Sequence, residues 1–189
     1  MNPVSLLVVG VGGQGTILVS KILTEGLVER GYDVKMSEIH GMSQRGGSVN
    51  TQIRYGEKIN SPVIDKGQAD CLVAFEEMEA YRWLSYLRPG GRVLVNNYRQ
   101  PSAPIISGQV EYPEGLKDEI KSKAEMTVVE AAEMARELGM PRAMNIVMLG
   151  VIVKHLGMAD ESWPRLLANQ VKPQFRDINL KAFERGLAA

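Results

Sequence analysis

Residues 8–23 read VVGVGGQGTILVSKIL: an apolar run stops in Gly10, Gly12, Gly13 and Gly15, and an amphipathic pattern begins at once. A strand that turns through glycines straight into a helix must fold that helix back along itself, which points to an α/β architecture. In the helix expected over Gln14–Arg30, Leu18, Val19, Ile22, Leu23 and Leu27 fall on one side, with Lys21, Glu25 and Glu29 away from it. Gly31 closes this helix and Asp33–Ile39 supplies a second strand, so the first forty residues read as a βαβ unit.

The same alternation continues. Strands are expected at Val49–Tyr55, Asp70–Phe75, Arg92–Asn96 and Met126–Glu130, and helices at Glu76–Leu87, Glu114–Lys123, Ala131–Leu138 and Met144–Leu156. A helical tail from Ser162 to Gly186 is broken near Pro173, and Asn97–Gln109, with Pro101 and Pro104, reads as an irregular connection. No repeat or linker divides the 189 residues, so one domain spanning 1–189 is expected. Its fold class is a mostly parallel sheet with helices on both faces, a Rossmann-like three-layer sandwich.

Composition narrows the function. Twenty-two basic and 22 acidic residues cancel, which gives no electrostatic reason to bind nucleic acid or an anionic membrane. Met144–Val153 is far short of the ~20 apolar residues that a membrane span needs, and Leu6–Val11 lacks the flanks of a signal peptide, so a cytoplasmic protein is expected. One cysteine, Cys71, and two distant histidines, His40 and His155, cannot ligate an iron–sulfur cluster or a structural zinc. No metal site is therefore assigned to this chain. Trp83, Tyr81 and Tyr86 are read as packing residues, and His155 as a helix C-terminal residue that suits the dipole and need not be catalytic.

Gly10-x-Gly12-x-x-Gly15 also fits the dinucleotide fingerprint, and Glu38, 28 residues after Gly10, stands where a ribose-binding acid would be expected. Three readings stay open: NAD(P) binding by a stand-alone enzyme or nucleotide sensor, a purely structural turn, or capture of another ligand's phosphate, such as that of coenzyme A, by Gly12, Gly13, Gln14 and Gly15. The chain offers no Tyr-x-x-x-Lys or comparable hydride-transfer pair.

The second glycine segment, His40-Gly41-Met42-Ser43-Gln44-Arg45-Gly46-Gly47-Ser48, is more informative. Adjacent glycines after an arginine can form an anion-holding nest beside a bidentate guanidinium. With GVGGQG at 10–15, GMSQRGG at 41–47, Ala69-Asp70, Glu76 to Glu79-Ala80, NIVMLG at 145–150 and NLKAFERG at 179–186, the sequence resembles the gamma-type chain of 2-oxoacid:ferredoxin oxidoreductases along essentially its whole length. The Met-Ser-Gln-Arg form of the second turn is most similar to the beta subunit of the indolepyruvate-type enzymes. Relatives acting on pyruvate or 2-oxoglutarate, the alternative assignment, tend to carry a Pro-Glu pair there.

The resemblance implies coenzyme A-dependent oxidative decarboxylation of an aryl pyruvate with electrons passed to ferredoxin. It further implies a larger alpha subunit that carries thiamine diphosphate, magnesium and the 4Fe–4S clusters, this chain binding none of them alone. Arg45 is then expected to contact an anionic group of substrate or coenzyme A, and His40, Met42, Ser43, Gln44, Gly46 and Gly47 to face the partner.

Overall fold

Alternate residues of a strand point to opposite faces, so an unbroken apolar run such as Leu6–Val9 demands cover on both sides. The computed structural model describes residues 2–40 and 46–189, with the backbone alone at His40. It supplies that cover around a six-stranded sheet of order β2-β3-β1-β4-β5-β6. The strands are β1 (Val4–Val11), β2 (Asp33–His40), β3 (Ser48–Gly56), β4 (Ala69–Ala74), β5 (Leu87–Asn96) and β6 (Glu125–Val129). β1, β4, β5 and β6 run parallel; β3 is antiparallel to both its neighbours, so β2 points the same way as β1.

The expected βαβ unit is present in split form. α1 (Thr16–Glu29) does connect two strands of the same direction, but β3 lies between them, paired from Val4↔Tyr55 to Val11↔Ser48 on one side and from Asp33↔Gly56 to His40↔Val49 on the other. Apolar patterning places a strand in a sheet without choosing its neighbours.

One face buries Leu6, Val8, Ile53, Val73 and Leu94 against five helices: α1, α5 (Ala131–Glu137), α6 (Met144–His155), α7 (Ser162–Gln170) and α8 (Arg176–Ala188). α6 is buried continuously from Asn145 to Val153, as a helix sandwiched between sheet and α8 must be. α6 and α8 cross backbone to backbone: a Cβ at Gly150 would meet Leu187 N at 2.8 Å, and one at Gly186 would meet the Gly150 Cα at 3.0 Å.

The other face buries Leu7, Val9, Leu72, Val93 and Val95 with Ala80 and Ile120. Its cover is shorter: α2 (Glu77–Arg82) and α4 (Leu116–Lys121), the latter reached from β5 through the 97–115 connection, which carries the one-turn helix α3 (Ala103–Ile106). The helix expected over 76–87 ends at Arg82, and Leu84–Tyr86 tightens into a 3-10 turn. The strand expected from Arg92 starts five residues earlier, at Leu87, so β5 takes in Arg88–Gly91. Among the described residues no helix is long and apolar enough to cross a membrane.

Because α1 leaves β1 toward one face and α2 leaves β4 toward the other, the loops after β1 and β4 diverge. Open α/β sheets bind ligands at such a crevice.

Candidate functional site

The first glycine turn is built into that crevice. Gly15 caps α1 at φ +79°, a conformation that side chains rarely adopt, and a Cβ there would overlap the Asn145 amide. Asn145, the first residue of the NIVMLG segment, donates from Nδ2 to Gly15 O (3.5 Å) and so ties the start of α6 to the turn. Gln14 is 4% exposed and points inward. Its Oε1 accepts from Val11 N–H (2.8 Å), and its Nε2 donates to Phe75 O (3.4 Å), which joins the β1 loop to the β4 loop. The Gln14 carboxamide is thus spent inside the fold, and any ligand contact from this residue falls to its backbone.

The two glycine segments meet. Gly12 N–H donates to Gly47 O (2.8 Å), and Gly46 N–H donates to Gly12 O (3.5 Å). Of the adjacent pair, Gly46 takes a left-handed φ of +81°. Gly41, Met42, Ser43, Gln44 and Arg45 lie outside the described residues, as does the side chain of His40. Ser48, which ends the segment, donates its hydroxyl to Glu79, and Trp83 Nε1 donates to the same carboxylate at 3.2 Å. Trp83 is therefore a strut beside Ser48, its ring tilted against that of Tyr86 at 5.0 Å, in keeping with its reading as a packing residue.

Glu38 does not stand where the fingerprint needs it. With β3 inserted, β2 is one strand further from the first turn than in a dinucleotide fold, a displacement of roughly 4.8 Å. Glu38 pairs with Thr51 of β3, which in turn pairs with Val8.

The end of the loop after β4 and the first turn of α2 carry three buried carboxylates, at 0% (Glu76), 1% (Glu77) and 2% (Glu79) exposure. Each holds a different piece of chain. Glu76 caps α2 by accepting from Glu79 N–H (2.9 Å), and accepts also from the Tyr112 hydroxyl (2.6 Å) and Gln100 N–H (3.2 Å). Burial and the adjacent Glu76 carboxylate push the Tyr112 phenol well above its usual range, so it stays a donor. Glu77 pairs with Arg99 (2.9 Å), and Glu79 with Arg82 (3.0 Å) besides Ser48. The spacing Glu76 to Glu79 was legible; that all three acids are buried and act as fasteners was not.

Beside the first turn opens a cleft of about 730 Å³, lined by Gly13, Gln14 and Gly15, by Tyr98 from the end of β5, and by Arg136, Arg142 and Asn145 from the α5–α6 side. Arg136 is paired with Glu133; Arg142 has no ion-pair partner among the described residues. A backbone turn, a helix N-terminus without a side-chain cap and an unpaired guanidinium make a surface suited to an anion. Sequence reasoning missed Tyr98, Arg136 and Arg142. The only trace of Arg142 is the Pro141-Arg142 pair just ahead of α6.

Cys71 is buried in β4, and desolvation pushes its thiol up to about 12. His155 closes α6, half-buried, its imidazole shifted below its usual value by burial and by the Arg92 guanidinium. Neither group reaches the cleft lining.

The sequence pattern of the pyruvate ferredoxin/flavodoxin oxidoreductase family matches residues 5–189. Over 192 residues the chain is 36% identical to indolepyruvate oxidoreductase subunit IorB of Methanothermobacter thermautotrophicus, covering 98% of this chain and 96% of the relative. The subunit of that name from Thermococcus kodakarensis is 32% identical over 197 residues, covering 100% and 96%. Ketoisovalerate oxidoreductase subunit VorA of Methanothermobacter marburgensis is 29% identical over 188 residues, which are 97% of this chain but 36% of that longer one. Among solved structures, pyruvate oxidoreductase subunit PORC of Thermotoga maritima shares the fold at a TM-score of 0.74 and 22% identity, over 100% of this chain and 97% of that one. A 2-oxoglutarate:ferredoxin oxidoreductase of Magnetococcus marinus does so at 0.77 and 18%, over 100% of this chain and 31% of that one. The chain belongs to the pyruvate ferredoxin/flavodoxin oxidoreductase family.

Proposed function

We propose that this chain is the small subunit of an indolepyruvate oxidoreductase, which supports coenzyme A-dependent oxidative decarboxylation of aryl pyruvates such as indole-3-pyruvate and delivers the electrons to ferredoxin. The observation that carries this reading is the end-to-end likeness to two IorB subunits, at 36% and 32% identity. The chain's own residues do not fit an iron–sulfur cluster: its one cysteine is sealed in β4 as an un-ionised thiol. Nor does the sequence hold a Gly-Asp-Gly diphosphate–metal motif. In this reading the clusters, thiamine diphosphate and magnesium belong to a larger partner subunit, and no step of the chemistry runs through them here.

Coenzyme A is a different case, because the cleft beside the first turn fits an anion. Gly13, Gln14 and Gly15 would hold a coenzyme A phosphate through their backbone, with Arg142 as its counter-charge; Gly12 is already tied to Gly47. The coenzyme supplies the thiol that takes the acyl group. Arg45 is assigned to the substrate carboxylate or a second coenzyme A phosphate, and His40, Met42, Ser43, Gln44, Gly46 and Gly47 to the partner interface.

The test is reconstitution with the larger subunit and measurement of ferredoxin reduction with indole-3-pyruvate, pyruvate and 2-oxoglutarate. Turnover should require both chains and coenzyme A and should favour indole-3-pyruvate. Arg45→Ala should lose roughly 10- to 150-fold, the worth of one charge-assisted contact, with Arg45→Lys recovering only part. Full activity of the larger subunit alone, or a preference for pyruvate, would refute the assignment.

A further inference from the structure

Beyond Tyr98, the 97–115 connection carries none of the chemistry above, yet it is elaborately held. At its base Arg99 pairs with Glu77 (2.9 Å) and Glu114 (3.2 Å), and lies 4.9 Å over the Tyr112 ring. Gln100 N–H and the Tyr112 hydroxyl donate to Glu76, and Met78 N–H donates to Tyr112 Oη (3.1 Å). The tip, 102–110, is instead closed upon itself. Ile106 N–H donates to Ser102 O (2.9 Å), Gln109 N–H to Pro104 O (2.9 Å), and the Ser107 hydroxyl to the same Pro104 carbonyl (3.0 Å).

This self-contained knob presents Ile106 at 76% and Val110 at 54% exposure. Isolated surface aliphatics are ordinary. Two of them on one internally hydrogen-bonded turn, mounted on two carboxylates at 0% and 1% exposure, are a different matter. Burying carboxylates costs desolvation, and an exposed tip returns no burial to this chain.

Its position names the occupant. Tyr98, at the root of the knob, is also a wall of the anion cleft, so a body covering that cleft continues onto the knob. In the longer VorA and Magnetococcus polypeptides this fold is 36% and 31% of the chain, the remainder being joined covalently. In a separate small subunit, what corresponds to that remainder must be engaged by contact. We propose that the knob at 102–110 docks into an apolar groove of the larger subunit, with Ile106 and Val110 as its anchors. The exposed Glu111 beside them calls for a lysine or arginine on the groove's rim. This inference rests on the small-subunit reading above.

The test uses the assembled complex. Loss of the anchors in an Ile106→Asp/Val110→Asp double variant should weaken the Kd for the larger subunit at least about tenfold. The melting temperature of the isolated chain should stay unchanged, because both side chains are exposed. A photo-crosslinking residue placed at 106 should capture the larger subunit. Wild-type affinity in the double variant, or crosslinks only to a second copy of this chain, would overturn the docking proposal while leaving the functional reading intact. Failure of the wild-type chain itself to bind the larger subunit would overturn both.

Discussion

The two faces of the sheet are closed by different means. Under α6 and α8 the contact is apolar and so close that two glycine backbones touch, Gly150 against Gly186. On the α2 side the cover is short, and three buried carboxylates fasten it to pieces of chain that have little apolar area of their own. Apolar burial gives energy without direction, about 1.5–3 kcal/mol for each large side chain. Satisfied buried polar groups give direction and little net energy. A fold that buys rigidity in this second way at one end of the sheet is fixing geometry there, and that is where the glycine turns and the cleft lie.

The contrast breaks most visibly at the helix crossing. Gly150→Val should separate α6 from α8 and cost about 3 kcal/mol or more, at the upper end of core overpacking, which lowers the melting temperature by roughly 6–12 °C. Calorimetry of the isolated chain checks it, and a loss below about 1 kcal/mol would mean that the helices are free to part.

Glu76→Ala comes next. It strands the Tyr112 hydroxyl, Gln100 N–H and Glu79 N–H at once, for an expected loss of about 2–3 kcal/mol in urea titration. Tyr112→Phe removes one of these bonds and leaves Met78 N–H without its acceptor, for a smaller loss of about 1–2 kcal/mol. Both should loosen the 97–115 connection, measured as faster proteolysis there, while leaving α6 and α8 protected. Equal loosening of both faces would erase the distinction between them.

The smallest effect is expected at Cys71. Its raised pKa means that the native thiol stays protonated while an unfolded thiol ionises near about 8.5. The associated stability is therefore complete below about pH 8.5 and is lost as pH rises toward about 12. Near neutral pH no change is expected, and a thiol reagent should label Cys71 only at the rate of unfolding.

Much of this was legible in the sequence, unevenly. The apolar runs and glycine stops placed all six strands, five of them to within about two residues at each end, because strand and helix periods differ and glycines punctuate them; β5 begins five residues before the expected Arg92. Strand order was not legible: nothing in Ser48–Gly56 states that it inserts between β1 and β2, and Glu38 was misread for that reason. The glycine turns were found, but not that Gly12 bonds to Gly47 or that Asn145 reaches Gly15 across 130 positions. Tyr98 and Arg142 carry no local signature, since their role comes only from where the ends of β5 and the α5–α6 turn arrive.

The claim that the carboxylate-fastened end of the molecule is its working side has a direct test in amide hydrogen exchange, free and in complex with the larger subunit. New protection is expected at 12–15, 46–48, 97–115 and 141–145, with exchange in α7 and α8 unchanged. Protection gained on the outer surfaces of α7 and α8, with the 97–115 connection exchanging as in the free chain, would contradict it.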